Sequence, residues 1–155
     1  MVGADIAWML MASALVLLMT PGVAFFYGGM VPARSVISTK LQSFAAMGVV
    51  ALIWAVCGYS LVFTGSDSDY GFIGGFGHAF LAGVGVEPNE AYGSTIPHVL
   101  FMFFQCTFAI ITPALITGAV AERVRFKAWM FIMALWSLLV YVPVAHWVWG
   151  PSGWI

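Results

Sequence analysis

Residues 96–126 read IPHVLFMFFQCTFAIITPALITGAVAERVRF, and no Asp, Glu, Lys or Arg falls between Ile96 and Ala121. Roughly 20 consecutive apolar residues cross the hydrocarbon core as a helix, so this stretch predicts a membrane span that stops at Glu122, Arg123, Arg125 and Lys127. Inside it, Phe104 and Phe108 are four apart and lie one above the other on a single helical face. Beside them stand Gln105, Cys106 and Thr107, which are polar or weakly polar. Periodicity alone assigns the ring face to lipid contact or helix packing.

Composition makes lipid the solvent to reason with. The 155 residues are 63% hydrophobic and 7% charged, with a mean hydropathy of +1.02, whereas soluble domains carry about 25% charged residues. A net charge of -1 gives no electrostatic reason to expect nucleic acid or an acidic partner. Three further charge-free runs, Trp8 to Tyr27, Leu41 to Thr64 and Ala128 to Trp149, complete four predicted spans near 8–27, 41–64, 96–121 and 128–149. The fold expected is an all-α membrane protein, a polytopic helical bundle. MVGADIA, with its Asp5, lacks the basic leader of a signal peptide, so the first run is read as a retained span. Cys57 and Cys106 fall in apolar runs and read as buried thiols, not as a disulfide or metal pair.

Charge follows span parity. All five basic residues lie in two connections, Arg34 and Lys40 in one, Arg123, Arg125 and Lys127 in the other. The positive-inside rule makes this side the cytoplasm, with both chain ends outside. Asp5, Asp67, Asp69, Glu87 and Glu90 fall opposite. The outer connection 65–95 contains GFIGGFGHAF at 71–80 but not the following Lys and Ser or Thr of a phosphate loop. It is expected to be flexible or partly helical, with FGHAFLAGV at 76–84 forming a short interfacial helix. Pro21, Pro113 and Pro143 interrupt helical ladders, while Ala114, Gly118 and Ala121 offer a small-residue seam.

Little in the spans supports catalysis. There is no lysine for a retinal Schiff base, no membrane carboxylate pair, no nucleotide loop and no zinc-spaced cluster, so neither an enzyme nor a resident metal or cofactor is expected. His98 and His146 fall near the outer ends of their spans and read as interfacial histidines held by hydrogen bonds; a bis-histidine haem site is the alternative. Trp147, Trp149 and Trp154 read as an interfacial aromatic belt.

Three stretches change the weighting: PGVAFFYGGMV at 21–31, FQCTFAIITPALITGAVAERVRF at 104–126 and VYVPVAHWVWG at 140–150. In this order and spacing the chain resembles the beginning of the ammonium transporter family, the Amt, Mep and Rh proteins. The AER element after the third span and AHWVWG closing the fourth are the most specific, and WAVCGYSLVF at 54–63 is similar to the family's second span. The resemblance runs through all of 1–155, whereas the family has about eleven spans, so it implies that the native molecule is longer.

The resemblance implies transport of ammonium or ammonia by a homotrimer of the plasma (inner) membrane, with one path per subunit. Phe104 and Phe108 correspond to stacked rings closing the path, and Trp149 to the tryptophan bordering the cation's recruitment site. Val23 corresponds to a pore-lining position, and Gln105 and Thr107 are candidates to add hydrogen bonds there. Relatives often carry Gly and Ser where this chain has Cys106 and Thr107. An aromatic face attracts a cation by about 0.5–2 kcal/mol, while a bare ion passes an apolar gate only at large desolvation cost. The crossing species is therefore ammonia, or an ion keeping substitute hydrogen bonds, with the proton moved separately. The family's proton-handling histidines and vestibule aspartate have no counterpart in these 155 residues, and His98 and His146 are not their equivalents. A cytosolic nitrogen-sensing signal protein or anionic lipid is a candidate partner for the basic loops. A membrane ammonium sensor and a non-transport scaffold remain the alternatives.

Overall fold

The computed structural model describes residues 1–65 and 71–155; Asp67 and Asp69 lie outside the described residues. Four helices, α1 (Gly3–Met30), α2 (Ala33–Phe63), α3 (His98–Val120) and α4 (Phe126–Trp149), are each long and apolar enough to cross a membrane. α1, α2 and α4 outrun their charge-free segments because helical hydrogen bonding continues into the polar boundary, whereas α3 stays within its own. Thus α1 takes Asp5 into its first turn, where a carboxylate complements the helix dipole. Lys40 lies within α2 and folds back over the Phe25 ring, 4.6 Å from its centroid. Gly28 makes the room, since a Cβ there would meet Lys40 Cε at 2.6 Å.

Prolines 21 and 113 are absorbed without ending their helices. Pro143 follows a π turn at Ser137–Tyr141, where the Val142 N–H donates five residues back to Ser137. A second π turn, Trp54–Gly58, contains no proline. Each wide turn rotates the residues after it, and the aromatic core sits beside them: Trp54, Tyr59, Phe63 and Tyr141 are all buried.

α1 packs on α2 and α3, and α2 touches all three other helices. Between α1 and α3, Tyr27 donates its hydroxyl to the Leu115 carbonyl at 2.8 Å and lays its ring on Gly118, where a Cβ would lie 2.6 Å from the ring. At the opposite end the Val2 N–H donates to the Thr95 carbonyl. These two ties make α1 and α3 parallel. The two basic connections meet at one end of the bundle, where the Ser35 hydroxyl donates to Glu122 at 2.7 Å and Arg34 lies 3.8 Å from the same oxygen.

The connection between α2 and α3 departs from expectation. FGHAFLAGV forms no interfacial helix, only a single 3-10 turn at Ala79–Leu81, with Phe80 and Leu81 at positive φ. The described part of this connection is also tied down along its length, because it closes the ends of the helices. A helix leaves its last four carbonyls without intrahelical partners. In α2, Ser60 accepts from the Thr64 N–H, Leu61 from Gly74, Val62 from His146 Nδ1 and Phe63 from the Tyr92 hydroxyl. At the start of α3, His98 and Val99 donate their N–H groups to the carbonyls of Glu87 and Gly85. Gly74 is required here, since a Cβ would fall 2.3 Å from the Thr64 oxygen.

Candidate functional site

α3 brings Phe104 and Phe108 into contact, with centroids 5.0 Å apart and planes at 77°. The pair is edge-to-face, not a parallel stack, the geometry that sets a positive ring edge against a negative ring face. Both rings are half-buried. Their backbone is braced from the same helix: Thr107 donates its hydroxyl to the Phe104 carbonyl and Thr112 to the Phe108 carbonyl, each at 2.6 Å. Thr107 is fully buried, and Gln105 and Cys106 are nearly so. The polar neighbours thus turn into the bundle while the rings take the more open face.

Trp149 ends α4 and is 48% exposed. It lines an apolar groove of about 360 Å³ with Thr112, Trp136, Tyr141 and Ala145. Thr112 joins the two halves, since the hydroxyl that braces Phe108 belongs to a residue of Trp149's groove. Phe104, Phe108 and Thr112 repeat every four residues along α3, and Tyr141, Ala145 and Trp149 do the same along α4. The groove therefore runs along the α4 stripe and meets the α3 stripe at Thr112. Tyr141 has its hydroxyl buried without a partner among the described residues. Sequence reasoning missed Thr112, Trp136 and Tyr141. The four-residue spacing was the available signal for Thr112 and Tyr141; Trp136 had none.

Val23 is half-buried on α1, one turn before Tyr27. The parallel register puts it level with the turn of α3 that follows Phe108, but it does not line the Trp149 groove.

Both histidines are buried and used by the protein. His98 Nε2 lies 2.5 Å from the Tyr59 hydroxyl, and its ring sits between Tyr92 and His78, at centroid distances of 5.8 and 5.3 Å. His146 donates from Nδ1 to the Val62 carbonyl at 2.7 Å and has Ser152 Oγ 3.4 Å from Nε2. The haem alternative gains no support: His98 Nε2 faces the Tyr59 hydroxyl and His146 Nδ1 the Val62 carbonyl, so one nitrogen of each ring is held by protein. Cys57 and Cys106 are free thiols. Trp147, read as part of a belt, donates its indole N–H to the Phe72 carbonyl at 2.9 Å.

Comparison with known proteins agrees with this architecture. The sequence model of the Ammonium Transporter Family matches residues 7–155. The ammonium transporter of Bacillus subtilis is 51% identical over 151 residues, covering 97% of this chain and 36% of the relative. Ammonium transporter Amt1 of Archaeoglobus fulgidus is 41% identical over 151 residues, with 97% and 35% covered. Among solved structures, Saccharomyces cerevisiae Mep2 superposes with a TM-score of 0.86 at 35% identity, over 97% of this chain and 33% of that one. The chain thus spans about a third of the length of the curated relatives it matches.

Proposed function

The chain belongs to the ammonium transporter family, and we propose that it supplies the recruiting and gating portion of a path for ammonium and ammonia. Trp149 attracts the cation at the outer end of α4. Phe104 and Phe108 close the path, with Thr107 and Thr112 holding their backbone in place. Thr107 acts through its bond to the Phe104 carbonyl, and Gln105 and Val23, which do not line the Trp149 groove, are minor contributors. The side carrying Arg34, Lys40, Arg123, Arg125 and Lys127 faces the cytoplasm, so Trp149 and His98 mark the outer end. The native assembly is a homotrimer of the plasma membrane, and the basic loops are where a cytosolic signal protein would dock.

The observation that carries this reading is the joining of the two stripes by Thr112, which belongs to the Trp149 groove and braces Phe108. A half-exposed tryptophan holds a cation without a formal negative charge, and an apolar ring pair next along the helix strips its water. Stripping a charge without compensation costs many kcal/mol, so the gate passes ammonia or an ion that keeps substitute hydrogen bonds. The proton then moves by another route. His98 and His146 are not its carriers, because each is committed to a bond that holds the fold.

The test expresses the native protein in cells lacking their own ammonium uptake and follows methylammonium uptake together with potassium leak. Phe104→Ala and Phe108→Ala together are expected to raise potassium leak at least about tenfold, because a water-filled gap lifts the desolvation barrier. Unchanged uptake and unchanged leak would leave the chain a scaffold and overturn the proposal.

A further inference from the structure

The connection between α2 and α3 is held on the ends of both helices by a cluster that the proposed path does not use. His98, the first residue of α3, is 4% exposed, and its Nε2 lies 2.5 Å from the hydroxyl of the fully buried Tyr59 of α2. Among the described residues that hydroxyl has no other partner, so its proton goes to Nε2 and His98 is the acceptor. An imidazole nitrogen accepts only while it carries no proton of its own. A proton on Nε2 turns two donors toward each other and leaves the buried phenol nothing to donate to, which costs the full desolvation of an unmade hydrogen bond.

No neighbour offsets a charge on this ring. Tyr92 stacks on it at 25° but spends its hydroxyl on the Phe63 carbonyl. His78 meets it edge-to-face, at 78° and 5.3 Å between centroids, and a second imidazole can only add like charge. The N-terminus of α3, on which His98 sits, disfavours a cation as well. Glu87 and Glu90 are exposed, and among the described residues no carboxylate pairs with either histidine. His78 is the way in for a proton. It is half-buried, and its Nδ1 donates to the Ala82 carbonyl at 3.0 Å, which leaves Nε2 to take the proton. Its main-chain N–H donates to the Ser60 hydroxyl of α2 at 2.9 Å.

We infer that Tyr59, His78 and His98 form a proton-sensitive latch, closed while both imidazoles are neutral and opened by acid on the side where the connection lies. Histidine changes charge between pH 5 and 8, so the latch works in that interval. Opening frees the connection from α2 and α3 but leaves the helix seams intact, since the tie from Tyr27 to Leu115 lies at the other end of the bundle. The latch is independent of the path proposed through Phe104 and Trp149.

The experiment is amide hydrogen exchange on the native protein in lipid nanodiscs between pH 8 and pH 5, read as protection factors so that the intrinsic effect of pH on exchange divides out. The amides of His78, His98 and Val99 donate to Ser60, Glu87 and Gly85. They are expected to lose at least about tenfold of their protection on acidification, the worth of one hydrogen bond, while amides along α1 keep theirs. His98→Gln keeps an acceptor for Tyr59 but cannot titrate, and should hold protection level across the range. His78→Asn keeps the donor to Ala82 and should shrink the loss, because only one ring can then charge. Tyr59→Phe removes the hydroxyl that a charged His98 opposes; it should lower protection at pH 8 and flatten the response, which keeps the latch testable if His98→Gln fails to fold. Protection unchanged from pH 8 to pH 5, a loss of full size in every one of these variants, or a loss spread equally over all four helices would each overturn the proposal.

Discussion

Trp149→Leu is the substitution whose effect the structure sizes most directly. Leucine keeps an apolar side chain on the groove wall and removes only the aromatic face. Trp149 is 48% exposed, so the cation over it keeps much of its water, and the exposed-site value of about 0.5–1 kcal/mol applies in place of the desolvated value of about 2. At about 1.4 kcal/mol per tenfold, the loss amounts to roughly a two- to fivefold weaker recruitment. The assay is the concentration dependence of methylammonium uptake by the native protein. The half-saturating concentration should rise by that factor while the maximal rate stays within about twofold, because the proposed recruitment step comes before the proposed gate. Trp149→Phe should keep part of the attraction. An unchanged half-saturation, or a fall in maximal rate alone, would refute a recruiting role. A rise beyond about thirtyfold would refute the half-exposed geometry, since only a desolvated cation reaches that magnitude.

Gly118→Ala places a Cβ 2.6 Å from the Tyr27 ring and should destabilise the α1 and α3 seam by about 1–3 kcal/mol, as overpacking does. Adding Tyr27→Ala should recover part of that loss in thermal unfolding in detergent, and strictly additive losses would contradict the seam. His146→Ala leaves the Val62 carbonyl without its donor and should cost about 1–3 kcal/mol of stability, with no visible absorption to lose in the wild type. Burial lifts the Tyr92 phenol to about 12 from an ordinary value near 10. The folded state therefore holds this proton more tightly than the unfolded chain, so the contribution is full below about pH 10 and is lost as pH climbs through about 12. Comparing thermal midpoints across that window in wild type and Tyr92→Phe should show a shallower decline in the variant.

The four helices and their shared basic end were legible because both signals are local: apolar length, and the side on which lysine and arginine fall. The Phe104 and Phe108 pair was legible for the same reason, as an interval of four. The edge-to-face geometry, however, is set by ring electrostatics that spacing does not encode. Thr112 and Tyr141 sat on readable stripes, but which stripes face each other depends on how α3 and α4 pack.

The interfacial helix at 76–84 failed for a different physical reason. An apolar pattern there competes with the demand that helix ends near a low-dielectric core find hydrogen-bond partners. α2 resolves that demand non-locally. Its Val62 carbonyl is met by a histidine 84 residues on, Phe63 by Tyr92 and Leu61 by Gly74. A segment that must follow the ends of two helices to supply N–H and C=O groups at fixed points has no backbone to spare for a helix of its own. Glycine richness, which first reads as flexibility, is what lets the chain press against α2 at Gly74, where a Cβ would overlap the Thr64 oxygen. His146 follows the same logic: a residue that looks like a candidate ligand in the sequence is consumed in ending another helix. The functional reading therefore rests on the aromatic residues that no helix end requires.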